Sequence, residues 1–252
     1  MNSRSPRELE GKSTMFFDII TLFPAMFSGP FSDSIIKRAA DKGLVSIRFV
    51  NFRDFAEDKH RTVDDAPYGG DPGMLLAPEP LAAAIRETRE RLAAEGRSPF
   101  VVCLNAQGRL LTHELVEELG RKDSIVLVCG HYKGIDQRVI DAFADMEVSV
   151  GDYVLSGGEI PAMIIVDAVT RLIPGALGNP ESAERDSFFN GLLGSPQYTR
   201  PETWEGRQVP QVLVSGHHEK IREWQKEQSI KLTKEWRPDL WEQYIKRKKE
   251  TL

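Results

Sequence analysis

The sequence predicts an α/β fold: a parallel sheet covered by helices on both faces, followed by a small, mostly helical C-terminal domain. Three observations carry this. Residues 100–104, 124–129 and 146–150 are short, largely apolar runs, each followed by a glycine-bearing stretch and then a helical pattern. Strands without polar alternation are buried on both faces, and strands that alternate with helices form parallel sheets. Beyond Pro174 the pattern changes to a long loop-like region and then to apolar residues at helical spacing.

In chain order, residues 16–23 form the first strand candidate, stopped by Pro24. A helical pattern runs to about Lys42, where Gly43 has the place of a C-terminal cap, and residues 44–49 read as a second strand. Residues 51–80 show little periodicity but carry Arg53, Asp54, His60, Arg61, Asp64, Asp65 and a glycine-rich turn. A loop of that length inside a compact domain is usually functional or disordered, and its charges and glycines favour function. Residues 81–94 predict a helix closed by Gly96.

The three central strands end in Asn105-Ala106-Gln107-Gly108-Arg109, in Gly130-His131-Tyr132-Lys133-Gly134, and in the stretch from Gly151 to Gly158. Helices are predicted over 112–119, from Asp136, and over 160–173. In open parallel sheets ligands bind beyond the carboxyl ends of the strands, so one pocket built from all three loops is expected. Tyr153, Val154 and Leu155, between glycines, are suited to wrap a flat, partly apolar ligand such as adenine. An ordinary strand-to-helix turn accounts for the same stretch. After the loop-like 174–210, Ile221, Trp224 and Gln228 and then Leu240, Trp241, Tyr244 and Ile245 give two helical stripes separated by Pro238.

Composition sets bounds. The 252 residues are 40% hydrophobic and 28% charged, which is ordinary for a globular chain, and no apolar run approaches a membrane span. Residues 1–14 are polar and lack the apolar core of a secretory signal, so they read as a disordered leader. Cys103 and Cys129 lie in separate apolar runs and read as small buried hydrophobes of a reducing cytoplasm. The net charge of −5 conceals an asymmetry, because residues 217–252 carry ten Lys/Arg against seven Asp/Glu. With their tryptophans they could touch phosphates, and a solvated helical surface gives the same counts.

Familiar motifs are missing. No Gly-x-Gly-x-x-Gly follows a strand, and Gly11-Lys12-Ser13 has Pro6 where a phosphate loop needs its first glycine. The histidines and cysteines lack metal-ligand spacing, so no metal site is expected, and no serine sits on a nucleophile elbow. Asp64, Asp65, Arg171 and Asp186 are the polar candidates on or beside long loops.

Four motifs then occur in order. They are Tyr68-Gly69-Gly70-x-Pro72-Gly73-Met74, Gly151-Asp152-Tyr153-Val154-Leu155-Ser156-Gly157-Gly158-Glu159, Arg171-Leu172-Ile173-Pro174-Gly175, and Asp186-Ser187-Phe188 with Tyr198-Thr199-Arg200-Pro201. From Met15 to about Trp236 the chain resembles the bacterial tRNA (guanine-N1)-methyltransferases that modify the guanosine at position 37, beside the anticodon. The resemblance implies a deep trefoil knot of the SPOUT class, bent S-adenosylmethionine in that knot, and an obligate cytoplasmic homodimer acting on the tRNA anticodon stem-loop. It implies a knotted cofactor-binding domain over 15–175, a flexible linker over 176–190 and a helical tRNA-binding domain over 191–252.

By the same resemblance the cofactor positions are Gly130, Val150, Gly151, Asp152, Tyr153, Val154, Leu155, Gly157 and Gly158, with Asn105, Gln107, Gly108 and Tyr132 in neighbouring loops. Asp186 matches the catalytic aspartate and Arg171 the arginine beside the target base. Two residues depart from the pattern. Lys133 stands where many relatives have glutamate, which leaves a role for Mg2+ open, and Asp71 stands where many have glycine. These two are expected to form an ion pair bridging their loops.

Overall fold

The computed structural model describes residues 14–178 and 186–250, which fall into two compact units that divide between Gly178 and Asn179. Residues 1–13 of the expected leader (1–14) and the central part of the expected linker, residues 179–185, lie outside the described residues.

The first unit is built on a five-stranded parallel sheet. Its strands are β1 (Met15–Ile20), β2 (Val45–Val50), β3 (Pro99–Leu110), β4 (Ser124–Cys129) and β5 (Met146–Ser149), in the spatial order β2-β1-β4-β3-β5. Five helices cover it: α1 (Ser34–Asp41), α2 (Pro78–Ala94), α3 (His113–Gly120), α4 (Gln137–Phe143) and α5 (Glu159–Leu172). All six residues of the central β4 are buried, as an unalternating apolar run requires. Ile125, Leu127 and Cys129 join one core with α1, α3 and α5, while Val126 and Val128 face a second core with α2 and α4. The period of two sorts side chains between the two layers.

Three differences from the sequence reading have local causes. The helix expected up to Lys42 is broken into a 3-10 turn (Pro24–Phe27), a one-turn helix (Ser28–Phe31) and α1. Gly29 and Pro30 carry weak helix propensity, and Asp33, in extended conformation, restarts the chain as the N-cap of α1. The irregular 51–80 region contains a two-residue antiparallel ladder, Asp64–Asp65 with Leu75–Leu76, that pins the glycine-rich turn at both ends. Strand β3 does not stop at Leu104. It pairs with β5 on both sides of a register shift, so that Val148 lies opposite both Leu104 and Arg109 and residues 105–108 bulge from the ladder.

One polar cluster is buried in the sheet face. Asp18, fully buried on β1, accepts from Arg48 on β2 (Nη2 to Oδ2, 3.0 Å) and from Arg91 on α2 (Nη2 to Oδ1, 2.7 Å). Arg48 also reaches Glu95 at 2.7 Å, and that hydrogen bond holds the Glu95 carboxyl below its usual range. The cluster ties an edge strand, its neighbour and a covering helix.

The second unit contains a two-residue hairpin ladder (Thr203–Trp204 with Arg207–Gln208), a one-turn helix (Gln211–Val214), α6 (His218–Trp236) and α7 (Pro238–Glu250). Pro238 opens α7, where its missing N–H costs nothing. Thr233 is its buried polar anchor: the hydroxyl donates to the Ser229 carbonyl (2.6 Å) and accepts from the Leu193 N–H (2.9 Å).

Removing the Asp18 carboxylate leaves two guanidinium groups facing a dry strand. Asp18→Ala is expected to lower unfolding free energy by about 3 kcal/mol in urea titrations, in line with the loss of one partner from a buried ion cluster.

Candidate active site

The carboxyl ends of β3, β4 and β5 converge on one pocket. Leu104, Asn105 and Ala106 form its first wall, residues 130–134 the second, and residues 148–151 and 153–158 the third, with Pro161 of α5 closing the base. The expected site residues Asn105, Gly130, Tyr132, Val150 and Gly151 are therefore brought together with Tyr153, Val154, Leu155, Gly157 and Gly158. Gln107 and Asp152 lie outside this lining. His131, Lys133 and Ser156, which lie in the loops expected to build the pocket but are not among the expected cofactor positions, also line it, and no sequence signal marked Val148 or Ser149.

The walls pack backbone against backbone. A Cβ on Gly158 would stand 2.6 Å from the Cα of Cys129 and 2.9 Å from the nitrogen of Gly130. One on Gly108 would stand 2.4 Å from the nitrogen of Val148. No side chain fits either place. The contact at Gly158 is closed by its own N–H, which donates to the Gly130 carbonyl at 2.8 Å, and His131 pairs with Gly157 in an isolated antiparallel bridge. Tyr132 between them has φ of +58°, a left-handed conformation that costs a β-carbon residue ~1–2 kcal/mol. Such strain concentrates at functional sites.

Side chains complete the frame. The Asn105 amide donates to Glu147, and its carbonyl oxygen accepts from the Gln107 N–H at 3.0 Å, which fixes the bulge of β3. The Tyr153 ring folds over Gly151, and its hydroxyl donates to the Val150 carbonyl at 3.2 Å. From outside, the glycine-rich turn clamps the second loop. The Lys133 N–H donates to the Met74 carbonyl at 2.9 Å, the Leu76 N–H to the Gly134 carbonyl at 3.0 Å, and Lys133 Nζ lies 3.4 Å from Asp71 Oδ2. The expected ion pair is thus present, and its exposure limits it to ~0–1 kcal/mol.

Beneath the pocket lies Glu159, 1% exposed at the start of α5. It accepts a hydrogen bond from the Thr21 hydroxyl at 2.7 Å, and its other oxygen stands 3.6 Å from His131 Nε2. Burial drives the Cys129 thiol well up from its ordinary pKa, with the charge of Glu159 adding to the effect, and burial pushes Cys103 up to about 12. Neither thiol ionises near neutral pH, so neither is a nucleophile here. Among the described residues, no group of three or more His, Cys, Asp or Glu side chains is placed to hold a metal ion. No described helix is long and apolar enough to cross a membrane.

The family described as tRNA (Guanine-1)-methyltransferase TrmD matches residues 15–243. The chain belongs to this family of methyltransferases. Relatives named tRNA (guanine-N(1)-)-methyltransferase include one from Pelotomaculum thermopropionicum, 52% identical over 91% of this chain and 90% of its own length. Another, from Geobacter sulfurreducens, is 52% identical over 90% of this chain and 91% of its own. A third, from Alkaliphilus oremlandii, is 49% identical over 94% and 96% respectively.

The two residues expected to act on the target base are not in the pocket lining. Arg171 is in the last turn of α5, ten residues beyond Pro161, a separation of about 15 Å along a helix rising 1.5 Å per residue. Asp186 belongs to the second unit.

The close approach at Gly158 makes a direct prediction. Gly158→Ala is expected to push the walls apart and weaken ligand binding to the pocket at least tenfold, with a smaller loss of melting temperature, read by calorimetric titration and thermal unfolding.

Proposed function

We propose that this protein transfers a methyl group from S-adenosylmethionine to N1 of the guanosine at position 37 of tRNA, in the cytoplasm, with Asp186 as general base. The observation that carries this is the glycine-walled pocket at the carboxyl ends of β3, β4 and β5 in a chain of this family. The residues present fit the cofactor. Leu104, Val148, Val154 and Leu155 offer apolar contact for a purine face, and Gly130, Gly151 and Gly157 bare their peptide groups. Asn105, Ser149 and Ser156 add polar atoms. When bound, S-adenosylmethionine supplies an activated methyl group on a sulfonium centre.

The chain's own work is orientation and proton transfer. Guanine N1 carries a proton and is a poor nucleophile until it leaves, so a positioned carboxylate is the natural acceptor, and Asp186 takes that role. Negative charge then gathers on O6, where the guanidinium of Arg171 stabilises it. Reaching a base beside the anticodon requires taking it out of its stack, and the loop from Pro174 to Pro210 serves as the hinged cover this needs. The chain divides into a methyltransferase domain (15–175), a linker (176–190, of which 179–185 lie outside the described residues) and a tRNA-binding domain (191–252). The remoteness of Arg171 from the pocket within one chain favours a homodimer whose site draws on both copies. A deep trefoil knot of the SPOUT class accounts for the crossings at Gly108 and Gly158, where backbone passes backbone too closely for any side chain. No Mg2+ is assigned a role, because Lys133 offers it no ligand.

Incubation with unmodified tRNA and labelled cofactor, followed by mapping of the modified base, tests the reading directly: label at N1 of guanosine 37 is expected, and label at another nucleotide refutes it. Asp186→Asn keeps the shape but removes the base, so single-turnover methyl transfer is expected to fall ~10²–10⁴-fold with cofactor affinity nearly unchanged.

Arg171→Ala is expected to slow the same step by roughly 10²–10³-fold, by analogy with loss of an oxyanion donor. Loss of melting temperature at an unchanged rate constant would instead make Arg171 a helix-terminal charge.

A further inference from the structure

The pocket has an electrostatic problem that its lining does not solve. Its lining residues include Lys133 and His131 but no aspartate or glutamate. The N-terminus of α5 also opens at Gly158 on its wall, and a helix of fourteen residues presents partial positive charge there. A cationic ligand would meet positive potential from both sides. Asp71 offsets Lys133 from the outer side at 3.4 Å, in an exposed and solvent-screened pair.

The counterweight is Glu159. Its carboxylate stands directly behind Gly157, where a Cβ would come within 2.4 Å of Oε2, so only a peptide unit separates it from the pocket. The Thr21 hydroxyl accepts from the Phe23 N–H at 2.9 Å and directs its own proton to Glu159 Oε1, which fixes that oxygen as an acceptor. The other oxygen faces the edge of His131, whose ring is held against Phe23 with centroids 4.8 Å apart. A charge so deeply buried is poorly screened and acts more strongly at short range than any on the surface.

We infer that Glu159 is a specificity-determining residue: its buried carboxylate reverses the positive potential of the α5 terminus and makes the pocket prefer a sulfonium cation over the neutral thioether that methyl transfer leaves behind. This rests on the reading that the pocket takes S-adenosylmethionine. The preference has a use, because substrate and product differ by one methyl group and one positive charge. Shape alone separates them poorly.

Calorimetric titration of the full chain with S-adenosylmethionine and with S-adenosylhomocysteine tests the inference. Glu159→Gln keeps the side-chain shape and removes the charge, and it is expected to weaken S-adenosylmethionine about tenfold relative to S-adenosylhomocysteine. Thr21→Val loosens the tether but leaves the charge, and it is expected to keep the wild-type ratio of the two affinities within about twofold. Equal weakening of both ligands by Glu159→Gln makes Glu159 merely structural and overturns the inference, as does an unchanged ratio. If Glu159→Gln does not fold, Glu159→Asp decides: the charged variant keeps the preference, and its loss there overturns the inference. Wild-type protein that binds neither ligand would refute the reading of the pocket instead.

Discussion

The structure depends on two places where backbone crosses backbone with no room for a β-carbon, at Gly108 against Val148 and at Gly158 against Cys129 and Gly130. The first fixes β3 against β5, and the second fixes the start of α5 against the end of β4. The glycines therefore do more than permit unusual dihedrals: they set the distance between walls. With the walls at that distance, peptide groups rather than side chains form much of the pocket, and the ligand can approach the chain closely. The left-handed Tyr132 and the bulge that carries Asn105 lie beside these contacts.

Around the crossings the polar groups are arranged in two layers. The outer layer, Lys133 with Asp71, joins the glycine-rich turn to the second pocket loop and is soft, because both side chains are open to solvent. The inner layer, Glu159 with Thr21 and His131, is dry and joins the end of β1, the β4 loop and the start of α5. A buried carboxylate is costly unless its oxygens have partners, and here one oxygen has a hydroxyl donor and the other faces an imidazole. The same burial that keeps Cys103 and Cys129 protonated removes thiol chemistry from the site and leaves them as packing residues.

Much of the first unit was legible in the sequence. The runs at 100–104, 124–129 and 146–150 became β3, β4 and β5, because side chains buried on both faces must be apolar at every position. The location of the pocket followed from the same reading, since loops at the carboxyl ends of parallel strands face a common crevice. Arg171 and Asp186 were legible only as matches to a family motif; within this chain the first lies one helix length from the pocket and the second in another unit.

By itself the sequence determined where chain is apolar, where it turns and which glycines interrupt it, because propensity and periodicity act over a few residues. Tertiary structure decided what meets across long separations. Neither the strand order β2-β1-β4-β3-β5, nor the opposition of Val148 to both Leu104 and Arg109, nor the partnership of Glu159 with Thr21, 138 residues away, leaves a local trace. In sequence Glu159 reads as an ordinary acid at a helix start. Only packing shows that it is buried beneath a pocket, because burial is a property of what folds over a residue and not of its neighbours in the chain.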